Sequence, residues 1–330
     1  MTDTRRALLD ALASGPVSGP ELADRLGVSR AAVWKQVEAL RGEGFEIESA
    51  DSGYEVVAVP EYGGGAIEFG LEAPFAVEYH DRIGSTNDRA RELAADGAEN
   101  VAVVADEQTG SRGRLNRPWT SPPGGVWLSL ALRPTRPPAH VPAFTLAAAA
   151  ATTRAAREAG VDARIKWPND VLVSEANEGT SERKSGDAST VGERDRGGKK
   201  LAGILTEMEG ESDRVSWLVV GIGVNANVEA ADLPAGATSL LAERGEPVDR
   251  RAFVQRLLEE FHRLRGRPEE VLPAWREYAA TLGRRVRVET PDGPVEGEAV
   301  DVEFPGALVV RTDAGDVTIY AGDCEHLRPV

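Results

Sequence analysis

Lys166-Trp167-Pro168-Asn169-Asp170 gathers an ammonium, a planar aromatic, a rigid turn former and an amide-carboxylate pair into five residues. Lys200-Leu201-Ala202-Gly203-Ile204-Leu205 then brings a second ammonium into a strand-like run. Upstream, Thr109-Gly110-Ser111-Arg112-Gly113-Arg114-Leu115-Asn116-Arg117 places three guanidiniums in a loop rich in small residues. Glycine lets backbone close on a ligand, and a planar guanidinium grips carboxylate or phosphate through two parallel hydrogen bonds. Cations from separated segments are equipment for holding an anionic, phosphorylated ligand and for offsetting charge that builds in a transition state. No enzyme nucleophile is indicated. The chain has no Ser-His-Asp pattern, and Cys324, its single cysteine, lies in the C-terminal region away from every motif. Gly221-Ile222-Gly223-Val224-Asn225 lacks the wider Gly-x-Gly-x-x-Gly unit opening a helix, so a dinucleotide reading fails.

The elements that must position these groups follow from periodicity. Residues 5–13 read as a short helix ended by Ser14-Gly15-Pro16; Ser18 caps a second helix with Leu22, Ala23 and Leu26 on one face, closed by Gly27. Ser29 caps a third, with Val33, Val37 and Leu40 inward and Arg30, Lys35 and Gln36 offered to a DNA major groove. Strands flanking Asp51-Ser52-Gly53 supply a wing. Pro60 to Gly65, ending in three glycines, reads as a linker. Helix and strand patterns then alternate: helices over 85–95, 143–159 and 249–264, strands over 101–105, 126–132, 165–173, 201–208 and 217–224. Residues 174–198 contain one large apolar side chain, Val191, among Ser, Gly, Thr and charge, and read as a disordered insert. From Leu282, short strands broken by Asp292-Gly293, Pro305-Gly306 and Gly315-Asp316 imply a small β-barrel. The fold class is α+β: a winged helix-turn-helix (1–59), a linker (60–66), a mixed-sheet domain with packed helices (67–280), and a small Src-homology-type barrel (281–330).

Composition narrows the setting. The chain carries 54 acidic against 38 basic side chains, five of them lysines, for a net charge of −16. That excludes a general nucleic-acid or anionic-membrane binder. It matches a protein kept soluble in concentrated salt, where screening relieves self-repulsion, or else an ordinary acidic cytosolic protein. Over 1–59, six basic side chains meet ten acidic ones, so sequence-independent DNA affinity is weak. His80, His140, His262 and His326 have no zinc-ligand spacing, so no dedicated metal site is expected. A charged N-terminus and the lack of ~18 consecutive apolar residues lead to a cytoplasmic expectation.

These motifs, in this order, resemble the biotin protein ligases, specifically the type with an N-terminal DNA-binding domain. The resemblance implies an ATP-dependent ligase that joins the biotin carboxylate to the α-phosphate, with Mg2+ accompanying the nucleotide, and then transfers biotin to a lysine of a biotin carboxyl carrier protein domain. It implies that Ser85, Thr86, Asn87 and Gln108 bind the ureido group, and that Arg112 contacts the carboxylate side. Arg114, Arg117, Trp119, Asn169, Asp170 and Asn225 would serve ATP or the adenylate. Lys200 would bridge carboxylate and α-phosphate, and Gly203 and Gly221 would let biotin lie on bare backbone. Lys200, Arg114 and Asp170 are the catalytic candidates, while Lys166 is open between ligand contact and a structural pair. The family usually has glycine where this chain has Ser111; a positive φ there would cost serine roughly a kcal/mol. Operator DNA and a homodimer are further partners implied. Lipoate attachment and a non-catalytic biotin-sensing repressor are the alternatives.

Overall fold

A computed structural model of the chain describes residues 3–174 and 197–327. At the N-terminus, α1 (Asp3–Ala13), α2 (Gly19–Leu26) and α3 (Arg30–Gly42) are followed by the hairpin β1 (Glu46–Ala50) and β2 (Gly53–Ala58). Ser18 accepts from the Glu21 amide at 3.3 Å and Ser29 from Ala32 at 3.2 Å, so both helices begin where their hydroxyls satisfy free N–H groups. Gly27, left-handed at φ 63°, ends α2. Leu8, Leu9, Leu22, Val33, Val37 and Leu40 form a core with Phe45 and Ile47. Each such burial contributes roughly 1.5–3 kcal/mol.

The stretch read as a linker is corrected by α4 (Gly64–Glu68), a short buried helix. A side chain on Gly65 would meet Arg5, Glu43 and Phe45 at 3.1 Å, so this glycine serves close approach between head and body, where the sequence suggested looseness. Arg6 reinforces the contact by donating to the carbonyls of Phe75 (2.6 Å), Leu71 (2.7 Å) and Ala73 (3.2 Å).

The body continues as β3 (Ala76–Ile83), α5 (Thr86–Ala95), β4 (Val101–Gln108), β5 (Val126–Leu132), α6 (Pro142–Glu158), β6 (Ala163–Lys166), β7 (Asp170–Val173), β8 (Lys199–Gly210), β9 (Val215–Val224), α7 (Leu240–Arg244), α8 (Arg250–Gly266) and α9 (Pro268–Glu277). Among the described residues the strands form one seven-stranded sheet in the order β3-β4-β5-β9-β8-β7-β6, with β3 parallel to β4 and the other neighbours antiparallel. The run 165–173 is two strands folded into a hairpin at Trp167-Pro168, a cis peptide bond, with Lys166 opposite Asp170. Most of the 174–198 segment lies outside the described residues; its flanks meet, Val173 pairing with Lys199.

Strand alternation gives the sheet two different faces. Leu128, Leu130, Ile204, Val220 and Ile222 join a core with Phe144, Leu257, Phe261 and Trp275 from α6, α8 and α9. The opposite face carries α5 over Val103, Ala131 and Val219, and beside it a row of small residues. The C-terminal strands β10 (Arg285–Thr290), β11 (Gly293–Glu303), β12 (Ala307–Thr312), β13 (Gly315–Ile319) and β14 (Asp323–His326) form an antiparallel sheet ordered β13-β12-β11-β10-β14, turning where the glycine pairs stand.

Candidate functional site

The small residues floor a cleft of about 490 Å³. On β8 and β9 the alternation that sends Ile204 and Ile222 into the core leaves Gly203, Gly221 and Gly223 facing the cleft. Each is needed. A Cβ on Gly203 or Gly223 would lie 3.1 Å from the Trp119 indole, and one on Gly221 would lie 2.1 Å from Asn87 Oδ1. Trp119 therefore lies flat against bare backbone, with the Lys200 ammonium 4.9 Å from its ring centre and its own Nε1 buried without a partner.

One end of the cleft is a polar pocket at the start of α5. Ser85 caps the helix, accepting from the Asp88 amide at 3.3 Å. Gln108 Oε1 accepts from the Thr86 N–H at 2.8 Å, and Asn87 donates to Glu207 at 2.7 Å. Ser129 Oγ, fully buried on β5, lies 2.8 Å from Thr86 Oγ1 and 2.6 Å from Asn87 Oδ1.

Over the cleft runs the arginine loop. Arg112 donates to Asp88 at 2.7 and 3.2 Å and lies 3.7 Å from Glu207. The Arg112 hydrogen bond holds the Asp88 carboxyl below its usual range, and Asp88 in turn raises Arg112. Arg114 donates to Asn169 Oδ1 at 3.1 Å and to the Gly322 carbonyl at 2.7 Å; Arg117 donates to Asp323 at 2.7 Å. Burial would push the Asp323 carboxyl up, but Arg117, Arg114 and Lys166 outweigh it and hold it low. Ser111 is not left-handed, so it carries no backbone strain, and its hydroxyl donates to the Trp119 carbonyl at 2.6 Å. Left-handed backbone falls instead on Leu115 (φ 56°) and Asn116 (φ 54°) at the loop tip.

Lys200 pairs with Asp170 at 2.6 Å, although Asp170 Oδ1 lacks hydrogen-bond geometry, so the contact is ionic in character. The Lys200 backbone is strung between its N–H, given to Gly236 O, and its carbonyl, which takes the Thr238 N–H. Asn225 braces the same loop through Nδ2 to Thr238 O at 2.9 Å, and Asn169 donates to Ile204 O at 2.8 Å. Lys166 is buried in the cleft wall.

All the ligand-contact candidates read from the sequence line this one cleft: Ser85 to Asn87, Gln108, Arg112, Arg114, Arg117, Trp119, Asn169, Asp170, Lys200, Gly203, Gly221 and Asn225. Arg30 and Lys35 are exposed and Gln36 half-buried on α3, apart from it. Beside them Trp34 is 57% exposed, a residue the charge pattern passed over. Cys324 is corrected: β14 brings it into the cleft wall beside Asp323. Its thiol is nonetheless inert, because burial pushes it up to about 12. Sequence reasoning also missed Ser129 and Glu207. Ser129 is the one polar residue of Val-Trp-Leu-Ser-Leu-Ala-Leu, and Glu207 keeps the two-residue step of Gly203 and Leu205, so both had a legible signal. Among the described residues, no group of three or more His, Cys, Asp or Glu could hold a metal ion, and no helix is long and apolar enough to cross a membrane.

Residues 79–225 match the model of the biotin/lipoate A/B protein ligase family, 281–327 that of the biotin protein ligase C-terminal domain, and 4–55 an HTH domain. The bifunctional ligase/repressor BirA of Bacillus subtilis is 38% identical over 94% of this chain and 93% of its own length. The biotin--[acetyl-CoA-carboxylase] ligase of Mycobacterium tuberculosis is 31% identical over 75% of this chain and 87% of its own. Among solved structures, the biotin protein ligase from Aquifex aeolicus in complex with biotin and ATP superposes with a TM-score of 0.59 at 25% identity, covering 77% of this chain and 99% of that one. With the cleft and its order of motifs, these likenesses carry the conclusion that the chain belongs to the biotin protein ligase family.

Proposed function

We propose that the protein is an ATP-dependent biotin ligase that forms biotinyl-5'-AMP, transfers biotin to a lysine of a carrier protein domain, and acts through its head as a biotin-responsive repressor. The observation that carries the ligase reading is the convergence of Arg112 and Arg114, from one loop, and Lys200, from β8, on one glycine-floored cleft. In the first half-reaction the biotin carboxylate attacks the α-phosphorus and pyrophosphate leaves. On this reading Lys200 neutralises both carboxylate and phosphate, and Arg114 and Arg117 supply charge to the nucleotide. The orphan Trp119 Nε1 and the indole face fit an adenine. In the second half-reaction a neutral lysine amine attacks the acyl carbon and AMP leaves; on this reading Asp170 takes the proton that the amine loses on forming the amide. Mg2+ would accompany ATP and offset charge on its phosphates, and the arginine loop over the cleft keeps water from the mixed anhydride.

Against lipoate stands the polar pocket. Thr86, Asn87, Gln108 and Ser129 are buried or half-buried polar groups suited to a ureido ring, whereas a dithiolane offers them neither a donor nor an acceptor. Incubating the protein with labelled biotin, magnesium ATP and a biotin carrier domain tests the reading: label on the carrier supports it, and pyrophosphate release without transfer leaves only the first half. No biotin-dependent pyrophosphate release would leave a sensor. For the head, Arg30, Lys35 and Gln36 approach operator DNA; the acidic domain around them repels phosphate, so the complex is expected with biotinyl-5'-AMP and at high salt, where screening relieves that repulsion. Absence of a mobility shift with upstream DNA of biotin genes under those conditions would end the repressor reading. A homodimer and a cytoplasmic, salt-rich setting complete the proposal.

A further inference from the structure

The hydrogen bonds of the polar pocket can be assigned proton by proton. Gln108 takes the Thr86 backbone N–H on Oε1, which fixes its amide, and passes Nε2 to Ser121 at 3.2 Å. Glu207, an acceptor only, takes Asn87 Nδ2, so Asn87 Oδ1 faces Ser129. Three oxygen-oxygen contacts remain: Ser129 to Asn87 at 2.6 Å, Ser129 to Thr86 at 2.8 Å, and Thr86 to Gln108 at 2.9 Å. Two hydroxyl protons serve these three contacts. Were the Asn87 amide turned over, its N–H would supply a third, but its oxygen would then confront the Glu207 carboxylate.

We infer that Glu207 is a specificity-determining positioning residue: by fixing the Asn87 amide it holds the pocket one proton short, ready to receive an N–H of the ligand's ureido ring. This rests on the biotin-ligase reading above. Glu207 stands on β8 two residues beyond Leu205, with Arg112 at 3.7 Å and Arg91 at 4.0 Å keeping its second oxygen engaged. A ligand that offers an N–H satisfies the surplus acceptor; one that offers an oxygen there meets a second acceptor. Buried polar groups left unpaired in this way discriminate strongly between otherwise similar ligands.

The test is calorimetric titration of the full chain with biotin and with its two cyclic carbamate analogues, in which one or the other ureido N–H is replaced by oxygen. Wild type is expected to bind one analogue about 100-fold more weakly than biotin or worse. In Glu207→Gln, where both amides can turn over together and fill the third contact, that ratio is expected to shrink about tenfold or more. Thr86→Val removes one oxygen and one proton and so balances the count; Glu207→Gln added to it should change the ratio little further. An unchanged ratio in Glu207→Gln overturns the inference. If that variant does not fold, an unchanged ratio in Thr86→Val alone overturns it. A wild type that binds no biotin overturns the ligase reading itself, a distinct outcome.

Discussion

Lys200 owes its place to backbone as much as to charge: its N–H and carbonyl are both tied to the 236–238 loop, and its ammonium lies between Asp170 and the Trp119 ring. Replacing it should therefore spare the fold. Lys200→Ala is expected to lower biotin-dependent pyrophosphate exchange by about 10²–10³ with an unaltered melting temperature, in line with loss of a preorganised charge. Near-normal exchange would remove Lys200 from the chemistry. Gly221→Ala places a methyl against Asn87 Oδ1, so it should weaken biotin binding about tenfold or more, read by titration, through displacement of one side chain. That these residues share one cleft was legible from the order of their motifs along the chain, each of which is a weak signal alone. Cys324 was misjudged because sequence distance hides what β14 does: it carries a C-terminal residue to a cleft built from the middle of the chain.

Among the elements, α6 and α8 are joined by Glu260, 3% exposed and paired with Arg154 and Arg263. Burial alone would push this carboxyl up, but hydrogen bonds from Arg263 and Arg154 outweigh it and hold it at about 2, against an ordinary 4.5. A depressed carboxylate stabilises the fold fully above its ordinary value and loses that contribution as pH falls through its folded value. Glu260→Gln should cost roughly 3 kcal/mol near neutral pH. The gap in melting temperature between wild type and variant should narrow as pH drops from 4.5 toward 2; a gap independent of pH would show that the charge contributes nothing. The stripe of Phe253, Leu257, Phe261 and Leu264 announced α8 in the sequence, and Ser18 and Ser29 announced their helices. β3 and α4 were not announced. β3 reads Ala-Val-Glu-Tyr-His-Asp-Arg-Ile, with little apolar alternation, and α4 begins with glycines that lower helix propensity and are tolerated through packing against the head.

For the molecule as a whole, a net charge of −16 means that the folded state works against its own field. Raising potassium chloride from about 0.1 M to about 1 M shortens the screening length from ~10 Å to ~3 Å and should raise the melting temperature by several degrees. A flat or falling response would remove the high-salt setting from the proposal. The order of a helical head, a mixed sheet with helices and a C-terminal antiparallel sheet was legible from changes in pattern, but the docking of the head was not. It depends on Arg6 reaching carbonyls some 65–69 positions away, a contact that no local pattern encodes.

The indole of Trp119, resting on Gly203 and Gly223 beneath the Lys200 ammonium, gives the protein a built-in optical gauge. Of six tryptophans, Trp127, Trp167, Trp217 and Trp275 are buried away from the cleft and Trp34 faces solvent on the head. Trp119 alone among them borders the cleft, so if the proposed nucleotide site is right, a nucleotide that takes the ammonium's place should change the emission of Trp119 in particular. Titration with ATP followed by intrinsic fluorescence, without a label, tests that assignment: a change in emission is expected, and none would remove Trp119 from the nucleotide site.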